Sequence, residues 1–120
     1  MKLSEIQQLF ARDIVVLLKH MEEKGFKYTF AEAYRTPEQA ALYESQGKGI
    51  KNSLHCKRLA FDINLFDASG NFLESAESHR QFGEFWESLH PMNRWGGNFK
   101  NKDGKPFVDA NHYERNEKQS

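Results

Sequence analysis

The sequence predicts an α+β domain, with helices packed against one face of a small antiparallel sheet. Three observations predict it. Apolar residues recur at helical spacing in two segments, Ile6 to Met21 and Phe82 to Leu89. Leu59 to Leu65 instead alternates apolar and polar residues with the period of a strand. The extended segments lie close together in sequence, and one pair reads as a hairpin, which favours antiparallel pairing.

Taken in order, Ser4 with Gln7 three residues on reads as a capping box. Ile6, Leu9, Phe10, Ile14, Leu17, Leu18 and Met21 then form the inward stripe of a first helix that Gly25 closes. Phe26, Tyr28 and Phe30 alternate with Lys27 and Thr29, as in a strand with one buried face. Thr36-Pro37-Glu38-Gln39 opens a second helix, with proline where a missing N–H costs nothing. That helix stops at Gly47, and Gly47 to Asn52 is a polar loop whose Lys48 and Lys51 are solvated. In the strand that follows, Asp62 points away from the face of Leu59, Phe61, Ile63 and Leu65. Asp67 to Asn71 is a turn returning through Phe72-Leu73. Ser75 or Ser78 caps a third helix that places Phe82, Phe85, Trp86 and Leu89 inward and ends before Pro91. Trp95 to Phe99 reads as a strand broken at Gly96-Gly97. Asn101 to Pro106 is a loop, Val108 to Glu114 a short extended or turning segment, and residues 115–120 a frayed polar tail.

At 120 residues the chain is expected to be one domain spanning 1–120, with no residues left for a separate binding domain. Its 17 basic and 17 acidic residues balance, so the basic excess of a general nucleic-acid binder is absent. Hydrophobic residues at 38% and aromatic residues at 13% make the composition globular. The first residues lack a signal-peptide core, and Ile14 to Leu18 is far short of the ~20 apolar residues that span a bilayer. The expectation is therefore a soluble protein made in the cytosol. A single cysteine, Cys56, excludes an internal disulfide and an all-cysteine zinc site.

Two of the five histidines sit among other ligand-type residues, in Ser53-Leu54-His55-Cys56-Lys57-Arg58-Leu59-Ala60-Phe61-Asp62 and in Asp109-Ala110-Asn111-His112-Tyr113-Glu114. A catalytic zinc takes three His or carboxylate ligands and leaves a position for water, whose pKa falls from ~15.7 toward ~7. A carboxylate that does not bind the metal then takes the proton. His55, Asp62 and His112 could be those ligands, and Asp109 the base. For that, His55 must lie on a loop or bend before the strand, and a turn at Ala110-Asn111 must bring Asp109 and His112 together. An acid in the middle of an apolar strand must be solvated or neutralised. The bland alternatives are hydrogen-bonded surface histidines, a turn aspartate at 109 and an Arg35 that merely pairs with Glu38. Cys56, beside His55 on extended backbone, points elsewhere and reads as a packed thiol. His20 reads as solvated or as a helix-dipole partner, and His79 and His90 lack carboxylates at ligand spacing. Trp95 either walls a cleft or packs beneath it.

Ser-x-His, six residues, then Asp, with Asp-x-x-His far downstream, resembles the zinc peptidases of the M15 family. These comprise D-Ala-D-Ala carboxypeptidases and the L-alanyl-D-glutamate peptidases of phage endolysins, and the endolysin branch is the more similar. The resemblance extends to Glu32-Ala33-Tyr34-Arg35-Thr36-Pro37-Glu38-Gln39 and Arg94-Trp95-Gly96-Gly97-Asn98-Phe99, so its landmarks run from about residue 28 to 114. It implies the hedgehog/DD-peptidase-like α+β fold and one zinc per chain on His55, Asp62 and His112. Asp109 would be the base, Arg35 the group facing substrate carboxylate or developing charge, and Ser53 and Trp95 further substrate contacts. Two departures stand out. Arg58 or Leu59 occupies a place where many relatives have glycine, and Asp109 one where many have glutamate. The implied function is a monomeric endolysin that hydrolyses the L-Ala–D-Glu amide of the peptidoglycan stem, without nucleic-acid or membrane partners, held in the cytosol until release. A D,D-carboxypeptidase on the same zinc site is the nearest rival. A catalytically inactive zinc-binding module is the rival of another class.

Overall fold

The computed structural model describes residues 1–48 and 53–117. Lys51 and residues 118–120 of the expected tail lie outside them. The elements are α1 (Leu3–Glu23), β1 (Lys27–Phe30), α2 (Pro37–Ser45), a 3-10 turn (Leu54–Lys57), β2 (Ala60–Phe66), β3 (Phe72–Leu73), α3 (Ala76–Leu89), β4 (Asn93–Trp95), a second 3-10 turn (Gly96–Asn98) and β5 (His112–Arg115). Every strand pairing is antiparallel, in the order β1-β2-β5-β4, and β3 pairs with β2. The α+β class with helices on a small antiparallel sheet is thus the observed one.

The core lies between the sheet and the two long helices. Ile6, Phe10, Ile14, Leu17 and Met21 of α1 meet Phe82 and Trp86 of α3, with Phe10 edge-on to Trp86 at 5.6 Å. From below they cover Leu59, Ile63 and Leu65 around β2, and Tyr113 of β5. By the period of two, Asp62, Asn64, His112 and Glu114 are left on the opposite face. The sheet therefore separates a dry side from a polar one.

Several boundaries differ from expectation. The first helix begins earlier, with Lys2 as N-cap, and Glu5 rather than Gln7 accepts from the Lys2 N–H at 3.2 Å. Ser4 lies inside the helix because Glu5 satisfies that end. Phe30 is exposed at the end of β1 and leans on Phe61, so only Tyr28 of that strand is half-buried. The strand expected at 95–99 stops at Trp95, and Gly96–Asn98 turns instead. Arg115 does not belong to a frayed tail. It is 1% exposed, ion-paired to Asp13 of α1, and its Nε donates to Asn93 Oδ1 at 2.8 Å. A buried guanidinium persists only when it is paired in this way. His20 lies in the last turn of α1, as a dipole partner would, and is half-buried with its ring flat on Phe85 at 3.8 Å.

Thr36 caps α2 by accepting from Gln39 N, and Ser75 caps α3 by accepting from Ser78 N, each at 3.1 Å. The α3 surface carries Gly83 where it meets Trp95. A Cβ there would stand 2.0 Å from the indole. Alanine gains up to ~1 kcal/mol of helix propensity over glycine, but overpacking a fixed ring costs about 1–3 kcal/mol or more. Gly83→Ala is therefore expected to lower Tm by several degrees in a thermal melt, despite the better helix former; an unchanged or raised Tm would show that the indole can move.

Candidate metal centre

His55 sits on the 3-10 turn that precedes β2, as its distance in sequence from Asp62 requires. Ser53 caps the turn, its Oγ accepting from His55 N at 3.2 Å, and Arg58 ends it in the left-handed region at φ 56°. That conformation favours glycine and costs another residue about 1 kcal/mol or more. The Arg58 guanidinium lies over the Tyr34 ring at 4.0 Å, which offsets part of the cost. On β2, Asp62 lies directly opposite His112 of β5. The turn at Ala110–Asn111 closes with His112 N donating to Asp109 O at 3.1 Å, so Asp109 returns to the same side.

One ligand atom each from His55, Asp62 and His112 lies within 4.8 Å of the other two. Asp62 Oδ1 stands 3.3 Å from His55 Nε2 and 2.9 Å from His112 Nδ1. A tetrahedral zinc with bonds of ~2.0–2.1 Å spaces its ligand atoms about 3.3 Å apart. The outward nitrogens are equally informative. His55 Nδ1 faces the Ala33 carbonyl at 3.1 Å, and a carbonyl only accepts, so Nδ1 carries hydrogen and Nε2 is the nitrogen turned inward toward Asp62. His112 Nε2 donates to Glu114 Oε1 at 2.7 Å, which leaves Nδ1 inward. Arg94 pairs with the other Glu114 oxygen. Histidines that hold metals are oriented by such partners, and the donor set with its outer contacts fits a divalent ion.

The charges agree with this picture. Burial opposes charge on Asp62, but hydrogen bonds from His112 and His55 outweigh it and hold the carboxyl down at about 2. Burial likewise opposes charge on His112, yet Asp62 and Glu114 hold it up at about 9. Asp109 moves the other way, raised chiefly by burial. Its Oδ2 is 3.8 Å from His112 Nδ1, close to the ligand cluster but outside it.

Other expected site residues fall in varied places. Arg35 reaches the site but is not free, because its Nε donates to Glu32 Oε1 at 3.0 Å and its terminal amine pairs with the same oxygen. The partner is Glu32, not Glu38, and the same Glu32 oxygen lies 3.8 Å from His55 Nε2. Ser53 is 6% exposed and shapes the turn under His55 rather than presenting a hydroxyl to a ligand. Trp95 is a correction. It is fully buried, its Nε1 donates to Ala110 O at 2.7 Å, and it offers no surface to a substrate. It acts from beneath, by holding the turn between Asp109 and His112. A Cβ on Gly96 would stand 2.1 Å from Asp109 O, so the glycine break allows that turn to approach. Cys56 is half-buried with Sγ toward Thr36 O at 3.9 Å, away from the cluster. Sequence reasoning missed Glu114 and Glu32. The signal for Glu114 was its position two residues beyond His112 on a strand, hence on the same face.

No family model matches the sequence, and no curated protein matches it. Four chains of known structure do match. One is the crystal structure of Serratia marcescens L-Ala D-Glu endopeptidase ChiX, with a TM-score of 0.71 over 89% of this chain and 77% of that chain, at 16% identity. At that identity the likeness establishes the fold.

Two outcomes are expected. Glu114→Ala frees the outward nitrogen of His112 and should weaken metal binding by about 10–100-fold in a chelator-competition titration; unchanged affinity would remove Glu114 from the centre. In metal-free protein the raised pKa of His112 contributes stability that is complete below its unfolded value of 6.5 and lost as pH rises through about 9. Urea melts should show a loss of about 2–3 kcal/mol between pH 6 and 10, and none of comparable size in His112→Asn.

Proposed function

We propose that this chain is a zinc-dependent peptidase of peptidoglycan that hydrolyses the L-Ala–D-Glu amide of the peptide stem, as phage endolysins of this type do. The observation that carries the reading is the convergence of His55 Nε2, Asp62 Oδ1 and His112 Nδ1 within 4.8 Å, with each imidazole tied at its outward nitrogen. The fold shared with a structure titled as an L-Ala D-Glu endopeptidase supports the substrate class.

His55, Asp62 and His112 would hold one zinc per chain. When bound, the ion supplies Lewis acidity for the scissile carbonyl and a water of lowered pKa. Asp109, raised by burial, would accept that water's proton and return it to the leaving amine. Arg35 would face substrate carboxylate or developing negative charge. Because Arg35 is engaged by Glu32, the substrate must compete with Glu32 for the guanidinium. Trp95 and Ser53 support the turns that carry the ligands. The protein would act as a monomer on the cell wall after release from the cytosol.

The nearest alternatives, a D,D-carboxypeptidase and an inactive zinc-binding module, separate on products. Purified wall digested with the zinc-loaded protein should release new N-terminal D-glutamyl ends and no free D-alanine by mass spectrometry. Free D-alanine as the main product would establish the carboxypeptidase instead, and no product the inactive module. Asp109→Ala should lower hydrolysis by at least about 100-fold, with one metal per chain retained by elemental analysis. Normal digestion by that variant would remove Asp109 from the role of base.

A further inference from the structure

The polar face of β2 continues past Asp62 into a second feature. Along its far edge, β2 pairs first with β5, through Asp62, and then with β3, from Leu65 onward. Between these pairings the sheet is notched, and a pocket of about 280 Å³ fills the notch. Asn64 and Asn111 line it, with Asn111 Nδ2 donating to Asn64 Oδ1 at 3.4 Å. Glu74 stands at its exposed rim, and Asp109 forms the wall shared with the candidate metal centre. Asn64 is two residues from Asp62 on one strand, about 7 Å along the same face.

The charge content of this pocket is one-sided. Its described lining includes two carboxylate side chains, Glu74 and Asp109, and neither a lysine nor an arginine. His79 beneath it has both ring nitrogens engaged, one with Tyr113 Oη and one with Leu73 O, each at 3.1 Å. Neither nitrogen is left for a ligand. The two asparagine amides are the polar groups available to one, and each carries both a donor and an acceptor.

We infer that this notch is the subsite for the leaving residue, and that it selects an uncharged carboxamide over a carboxylate on the carbon beside the scissile nitrogen. The inference rests on the hydrolase reading above. Asp109 returns a proton to the leaving amine, so the leaving residue must lie on the Asp109 side, where the notch opens. A carboxylate there would face Glu74 and Asp109 with no lysine or arginine in the described lining to compensate. A carboxamide would match the donors and acceptors of Asn64 and Asn111. The other end of the substrate would lie toward Arg35, so the two ends of the cleft select opposite chemistries.

The test uses two synthetic stem peptides, identical except that the leaving D-glutamyl residue carries its α-carboxyl either free or as the primary amide. The amide is expected to be cleaved with roughly tenfold higher kcat/KM, mostly through KM, because a like charge near the wall is a binding penalty. Glu74→Gln should narrow the ratio, chiefly by accelerating the acid peptide. Asn64→Leu should slow the amide peptide with no loss of metal. Equal rates for the two peptides, or a ratio untouched in Glu74→Gln, would overturn the subsite and leave the hydrolase standing. Cleavage of neither peptide, with intact wall also undigested, would overturn both.

Discussion

Asp62 and His112 are direct cross-strand partners in the antiparallel pairing of β2 with β5, and the rest of the polar face depends on that register. A slip of one residue by either strand would turn its side chain of the pair toward the core, since strand side chains alternate faces. The register is held from the dry side by Ile63, Leu65 and Tyr113, each with no exposed surface. Apolar packing below therefore sets the geometry of a charged cluster above. The cluster adds its own support through the 2.9 Å contact of Asp62 with His112, but a charge pair desolvated this far contributes less net stability than its attraction implies. The core specifies the site more than the site stabilises the core.

Each histidine reaches the cluster by a different local device. His55 arrives on a tight turn capped by Ser53 and closed by a left-handed Arg58. His112 arrives just after a turn clamped by Trp95 through the Ala110 carbonyl and brought close by Gly96. In both cases the inward nitrogen is decided by what the outward one touches. A backbone carbonyl serves for His55, and a carboxylate, itself paired to Arg94, serves for His112. The anionic partner raises the basicity of the His112 imidazole, which favours donation to a cation once the inner proton has left.

Much of this was legible in the sequence. The period-two strand placed Asp62 opposite the apolar face, and the offset of His55 demanded a bend that the 3-10 turn supplies. The three-residue spacing of Asp109 and His112 demanded the turn found at Ala110–Asn111. The caps at Thr36 and Ser75 and the hairpin at Asp67 were readable because their signals are local. What was not legible depends on partners distant in the chain. Arg115 looks like tail until Asp13, far away on α1, is seen to bury with it. Trp95 looks like a cleft wall until Gly83 of α3 is found to leave it a slot. Arg35 looks available until Glu32 is seen to hold it. Arg58 looks like an ordinary turn residue until its backbone is seen in the left-handed region that glycine adopts without strain.

The distribution of charge around the cluster is uneven. Asp109 stands 3.8 Å from His112 Nδ1, outside the group formed by His55, Asp62 and His112, with nearly half of its side-chain surface exposed. Asp109 is kept there by the same turn that positions His112, so moving one would move the other. Asp62 is pulled down to about 2 while Asp109 is pushed up, so two aspartates on one face are driven apart in acidity by their surroundings. One is held as an anion among imidazoles, and the other is shifted toward its protonated form. Here the division follows from a strand register, a turn and the packing of one tryptophan.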